Sequence, residues 1–271
     1  MSTYYLLALI ALIFVVINDK VNAQTDGPVL VVIGDSWGAY GWHDLQKVLT
    51  AKGSNLTVVS YAIGGTTAKF WARTPDLVNE LVNENPTAEY VWLSIGGNDV
   101  IDFMPGCTEK MSVQDCINII LPETLNNTQA FLDPLVADHP DLEIVQFGYD
   151  IPNLGENVLC RQIGEQIIDG CNDTASCINP QFVKIQYLYV DELAKMYKQL
   201  TSVNLLGSLQ AQDHYAGVTI TNPDLTKWSP ADLMETNCIH PTRVGRGNEP
   251  AGFDVIFDNL WDAYFAKRIS V

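Results

Sequence analysis

The sequence predicts an α/β fold: a five-stranded parallel sheet with helices packed on both faces. Short β-rich apolar runs alternate along the chain with segments of helical periodicity, the pattern of parallel strands joined by crossover helices. Three of those runs end in glycine-bearing turns. In such a sheet the turns gather at the carboxyl edge, where open α/β folds bind ligands. The 271 residues, 47% of them hydrophobic, are ample for one large core. No repeat, low-complexity tract or linker divides the chain, so residues 24–271 read as a single domain.

The first strand is the apolar run Val29-Leu30-Val31-Val32-Ile33. Gly34-Asp35-Ser36-Trp37-Gly38 follows, then Trp42, Leu45, Val48 and Leu49 at helical spacing, closed by Gly53. A second strand, Leu56 to Ala62, turns at Ile63-Gly64-Gly65-Thr66-Thr67 into more helix. Asp76 to Asn85 is helical and stops at Pro86. Tyr90 to Ile95 is a third strand ending in Gly96-Gly97-Asn98-Asp99. A loop holding Cys107 and Cys116 leads to a helix from Pro122 to Ala137, with Pro134 marking a kink or an early end.

Leu142 to Gly148 is the fourth strand, and residues 151–180 show no periodicity. Phe182, Ile185, Tyr189, Leu193, Met196 and Leu200 mark a long amphipathic helix. Val203 to Leu206 reads as a short fifth strand and 207–235 as irregular. Phe253, Ile256, Phe257, Leu260 and Tyr264 mark a closing helix. The two long irregular stretches are placed to shape or cover a pocket.

Ahead of the first strand, Tyr4 to Ile17 is an unbroken apolar run of 14 residues, followed by Val21-Asn22-Ala23. A membrane span needs roughly 20 apolar residues. Residues 1–23 therefore read as a signal peptide, although no Lys or Arg precedes the run, and a secreted protein with no stable membrane span is expected. Cleavage after Ala23 removes one Asp and one Lys, so the formal net charge stays at −17. That charge repels phosphate backbones and anionic headgroups, which argues against nucleic acid as a partner and for neutral substrates.

All six cysteines follow the cleavage site, an even count that implies disulfides. Cys107 and Cys116 are close together and isolated, which pairs them. Cys238 is then left to Cys160, Cys171 or Cys177. No C-x-x-C pair or cluster of cysteines with histidines supports a zinc site, so no metal or organic cofactor is expected. Asn55-Leu56-Thr57, Asn126-Asn127-Thr128 and Asn172-Asp173-Thr174 are sequons, relevant in a eukaryotic host.

The turn after the first strand presents the Ser36 hydroxyl, a poor nucleophile until a base removes its proton. Of the four histidines, His43, His139 and His214 have ordinary packing or surface explanations. His240 differs. Pro241 holds its backbone extended, and Asn237, three residues earlier, is one turn away from its Nδ1. Such a bond leaves Nε2 free to face Ser36 as a general base. Acyl transfer also needs donors where negative charge develops, and the Ser36 and Gly64 amides and the Asn98 side chain are the candidates. Taken alone, either glycine pair is no more than a strand-to-helix turn.

In order and spacing these blocks resemble the SGNH hydrolases, also called GDSL esterases and lipases. Gly34-Asp35-Ser36 is similar to the first block, Gly64 to the second, Gly96-Gly97-Asn98-Asp99 to the third and His240-Pro241 to the last. The resemblance spans roughly residues 28–270. It implies a flavodoxin-like three-layer α/β/α sandwich, with Ser36 as nucleophile, His240 as base, and Ser36, Gly64 and Asn98 as the oxyanion hole.

One position departs from the pattern. The family carries Asp three residues before the histidine, and here Asn237 stands there. Asparagine orients a neutral imidazole but adds no charge to stabilise an imidazolium. Three arrangements are open: Asn237 itself, a backbone carbonyl, or a nearby acid such as Asp232 or Glu235. Gly34-Asp35-Ser36-Trp37-Gly38 also fits the G-x-S-x-G elbow of α/β-hydrolases. Its place on the first strand leaves no upstream room for that fold's oxyanion loop.

The leading expectation is a secreted serine esterase or lipase acting on a small-molecule, lipid or acylated-carbohydrate ester. The alternatives are an acyltransferase, or a weakened carbohydrate- or lipid-binding protein that retains the fold. Trp37, Tyr40, Trp42, Phe70 and Trp71 lie near the proposed site in sequence. Aromatic residues there line a pocket or, more often, build the core.

Overall fold

A computed structural model of the chain describes residues 27–103, 112–155, 160–161, 175–212, 215–245 and 250–269. The expected signal segment, the Cys107–Cys116 pairing, the sequon at Asn172 and His214 lie outside the described residues.

The strands are β1 (Val29–Gly34), β2 (Thr57–Ser60), β3 (Ala88–Ser94), β4 (Glu143–Gln146) and β5 (Leu200–Ser202). They form one sheet in the order β2-β1-β3-β4-β5, every neighbouring pair parallel. This is the flavodoxin-like order, whose ligand crevice opens between the carboxyl ends of β1 and β3. The helices are α1 (Ser36–Ala51), α2 (Ala68–Ala72), α3 (Pro75–Asn83), α4 (Gly97–Phe103), α5 (Val113–Asp138), α6 (Ala175–Met196), α7 (Ser208–Gln212) and α8 (Gly252–Ala263).

The alternation of side chains along β1 builds two cores. Leu30 and Val32 pack under α1 and α8 with Leu45, Phe253 and Phe257. Val29, Val31 and Ile33 face the opposite layer, with Trp71, Val78, Phe131 and Tyr189 from α2, α3, α5 and α6. The result is a three-layer α/β/α sandwich. Among the described residues, no helix is long and apolar enough to cross a membrane.

Five elements differ from the sequence reading, two of them the short helices α4 and α7, which fall where no helix was expected. β5 is Leu200–Ser202 rather than residues 203–206. The ladder to β4 closes with the Val203 N–H on the Gln146 carbonyl at 2.8 Å. The apolar run beyond is buried without pairing, because apolarity reports burial rather than a ladder. α6 ends at Met196, which leaves Leu200 on the strand, and it starts at Ala175, inside the stretch read as aperiodic.

α5 begins at Val113, so Cys116 belongs to a helix rather than a loop. Ser112 and Asp115 form a capping box that satisfies the first amides, and both Pro122 and Pro134 lie inside the helix. An interior proline costs about 3 kcal/mol. Burial of Ile117, Ile120, Phe131, Leu132 and Leu135, at roughly 1.5–3 kcal/mol per large apolar side chain, outweighs that cost.

Cys238 is bonded to Cys160, one of the three partners left open by the sequence. Cys177 is also disulfide-bonded.

Candidate active site

β1 ends at Gly34, where φ is +143° and a Cβ would lie 1.8 Å from the Ser94 carbonyl oxygen of β3. No other residue fits there. Asp35 follows as the N-cap of α1, and its carboxylate accepts from the Trp37 amide at 3.0 Å and the Ser94 hydroxyl at 3.1 Å. The Tyr149 hydroxyl donates to its other oxygen. Burial pushes the Asp35 carboxyl up to about 7, against the pull of the bonds from Tyr149, Trp37 and Ser94. This fully anchored cap places Ser36 at the first position of α1, at the carboxyl edge of the sheet.

His240 arrives on a loop folded back on itself. The Glu235 amide bonds the His240 carbonyl at 2.8 Å, and Met234 bridges Pro241. Cys238 holds a positive φ of 71° within that turn. Its carbonyl accepts from the Asn153 amide at 2.9 Å, and its sulfur is bonded to Cys160. The imidazole Nε2 lies 2.6 Å from Ser36 Oγ.

Asn237 Oδ1 lies 3.1 Å from His240 Nδ1 and also accepts from the backbone amides of Ile239 at 3.2 Å and His240 at 3.1 Å. The two backbone donors fix that atom as the amide oxygen, so Nδ1 carries the ring proton and Nε2 is the acceptor facing Ser36. Of the three arrangements open to His240, the structure has the first. The Glu235 carboxylate instead takes the Arg243 amide at 3.3 Å. Burial pushes the His240 imidazole down to about 4.

The candidate oxyanion donors converge from two further strand ends. The turn after β2 is pinned to β1 by the Ile63 amide and the Thr66 hydroxyl, both on the Gly34 carbonyl, at 2.8 and 2.9 Å. This brings Gly64 against Ser36, where a Cβ at residue 64 would lie 3.7 Å from that of Ser36. Asn98, in the first turn of α4, donates through Nδ2 to the Thr66 carbonyl at 2.9 Å. Asp99 beside it is buried and accepts from the Ala68 amide with both oxygens, which ties α4 to α2. Ser36, Asn98 and His240 thus line one opening, with Gly64 against Ser36 and Asn237 on the far nitrogen of the imidazole.

Sequence reasoning missed Tyr149, Ser94, Thr66 and Asp99. Tyr149 follows β4 at the sheet's carboxyl edge. The aromatic residues divide. Trp37 is buried, edge-on to Tyr149 and Phe253. Trp71 is core on the opposite face. Tyr40 is 42% exposed and stands edge-on to His240 with ring centroids 5.0 Å apart. A small open pocket lies over Ser36 and His240, walled by Trp37, Asn98, Ile101 and Tyr149.

A lipase from a goat rumen metagenome, Lip_vut3, superposes with a TM-score of 0.55 at 9% identity, over 88% of this chain and 98% of that one. A phospholipase A1 from Streptomyces albidoflavus superposes with a TM-score of 0.51 at 15% identity, over 86% and 99%. The fold is that of the SGNH hydrolases. The same SGNH-type framework superposes on the periplasmic domain of a Salmonella Paratyphi A lipopolysaccharide acetyltransferase, with a TM-score of 0.52 at 16% identity over 92% and 87%. No protein-family model matches the sequence, and no curated protein does either.

Proposed function

We propose that the protein is a serine esterase that works through an acyl-enzyme on Ser36. The observation that carries this reading is the 2.6 Å contact between Ser36 Oγ and His240 Nε2, the reach a general base needs. Ser36 Oγ attacks the ester carbonyl carbon as His240 Nε2 takes its proton. The oxyanion meets the amides of Ser36 and Gly64 and the Asn98 Nδ2. His240 then protonates the departing alcohol, and a water deprotonated by the same ring releases the acid. Asn237 keeps the ring in the required tautomer without contributing charge. Export to an oxidising compartment is part of the proposal, supported by the Cys160–Cys238 bond.

Labelling with a fluorophosphonate probe, beside Ser36→Ala and a p-nitrophenyl ester assay, tests the reading. Labelling and hydrolysis that both vanish in the alanine variant are expected. Folded protein that fails to label would instead be a binding protein on a retained fold. The likeness to the acetyltransferase domain supports a second reading, acyl transfer. In that case Ser36 labels, water does not turn the acyl-enzyme over, and an added acceptor alcohol does.

A further inference from the structure

We infer that Tyr149 sets the acyl-length limit of this site and restricts it to short acyl groups. The inference rests on the esterase reading above. Its basis is the position of one ring between two spaces. On one side is the open pocket over Ser36. On the other is a small, mostly apolar void, lined by Ile95, Val100, Ile120, Leu121, Ile185 and Val190. Among the described residues Tyr149 alone lines both.

The ring is held from several directions. Its hydroxyl donates to the buried Asp35 carboxylate. Trp37 meets it edge-on, with centroids 5.1 Å apart and planes at 84°. Its backbone amide donates to Gln186 Oε1 at 3.0 Å. Gly97 lies so close below it that a Cβ there would sit 2.6 Å from the ring. An exposed tyrosine changes rotamer freely; one fixed at its tip, face and backbone does not. An acyl group with its carbonyl over Ser36 and Asn98 therefore ends against this ring. The aliphatic side chains behind it stay out of reach, and the void between them is too small for an acyl chain while the ring is in place. Cutting the ring back joins the two spaces.

The test measures kcat/KM for p-nitrophenyl acetate, butyrate, hexanoate and octanoate with the wild type, Tyr149→Phe, Tyr149→Leu and Tyr149→Ala. The wild type should prefer acetate or butyrate and lose at least about 10-fold by octanoate. Tyr149→Phe keeps the wall and should keep that ranking, whatever its absolute rate. Each newly buried methylene is worth about fourfold. Tyr149→Leu and Tyr149→Ala should therefore raise the octanoate-to-butyrate ratio at least 10-fold.

Fluorophosphonate labelling and thermal unfolding establish that each variant keeps its site, and Tyr149→Leu carries the test where the alanine variant does not fold. A wild type that favours octanoate, or an unchanged ranking in folded Tyr149→Leu, overturns the inference and leaves the esterase reading standing. A folded wild type inert towards every ester overturns both.

Discussion

Trp37 Nε1 donates to the Ile239 carbonyl at 3.1 Å, across 202 residues of sequence. This bond joins the helix that bears Ser36 to the loop that bears His240, one residue from each. Trp37→Phe keeps the aromatic packing and removes the donor. A hydrogen bond of this kind contributes about 0.5–1.5 kcal/mol. We expect kcat to fall roughly 3- to 10-fold with KM little changed, and stability to fall by about 1 kcal/mol. Steady-state kinetics with urea unfolding checks both, and an unchanged kcat would mean that the loop is held adequately without this tie.

The pH profile follows from Asn237. Burial holds the His240 imidazole down at about 4. The groups around it (Asp35 and Tyr40 on α1, Glu235 and Asn237 on its own loop, Tyr149 and Asp150 after β4) place no carboxylate on its Nδ1. The ring is thus neutral over most of the pH range. In the wild type, kcat/KM should hold to about pH 5 and fall only towards 4. Asn237→Asp puts a carboxylate beside the ring, which favours the imidazolium. The acid limb should move up by one unit or more while turnover is preserved or raised. A large loss of activity in folded Asn237→Asp would remove Asn237 from the role given it here.

Asn98→Ala separates the proposed oxyanion donor from the scaffold. Among the described residues its side chain makes one hydrogen bond, to the Thr66 carbonyl, so the melting temperature should change little. Turnover should drop by ~10²–10³, as is typical when one such donor is removed. Loss of only a few-fold would assign the oxyanion to the backbone amides alone.

Stability should rise as the solution is acidified from neutrality. Burial pushes Asp35 up to about 7, and Asp44, Asp99 and Asp150 up to about 6, from an ordinary value of 3.8. A folded-state value above the unfolded one means the fold binds more protons between the two. The cost is full above the folded value and fades as pH falls towards 4. His240, held neutral in the fold, works the other way below its ordinary 6.5, one group against four. Calorimetry between pH 7.5 and 5 should show an increasing melting temperature. Asp44 Oδ2 is buried without a hydrogen-bond partner, so Asp44→Asn should raise the melting temperature at pH 7 and leave it unchanged near pH 4. A melting temperature that falls steadily from pH 7.5 to 5 would contradict this account.

How much of this was legible in the sequence depended on the range of the signal. Val29–Gly34 and the turn into α1 are local, and burial on both faces wrote them as a continuous apolar run. Ser36, Gly64 and Asn98 each end a strand of one parallel sheet, so their meeting followed from topology. The start of α5 was also written locally, in Ser112 and Asp115, but Pro122 looked like a beginning and hid it. Tyr149 could not be read in the same way. Its meaning comes from Asp35, Gly97 and Gln186, residues scattered through the chain, and no period or spacing links them. The fifth strand failed because an edge ladder of three residues is shorter than the apolar stretch that follows it.

The bond between Cys160 and Cys238 lies two residues from His240 and closes a gap of 78 residues. It therefore gives the loop that bears His240 an address in redox terms. Where thiols stay reduced, that loop would keep only its hydrogen bonds, the Trp37–Ile239 bond among them. Oxidation adds a covalent strut next to the imidazole without touching either ring nitrogen.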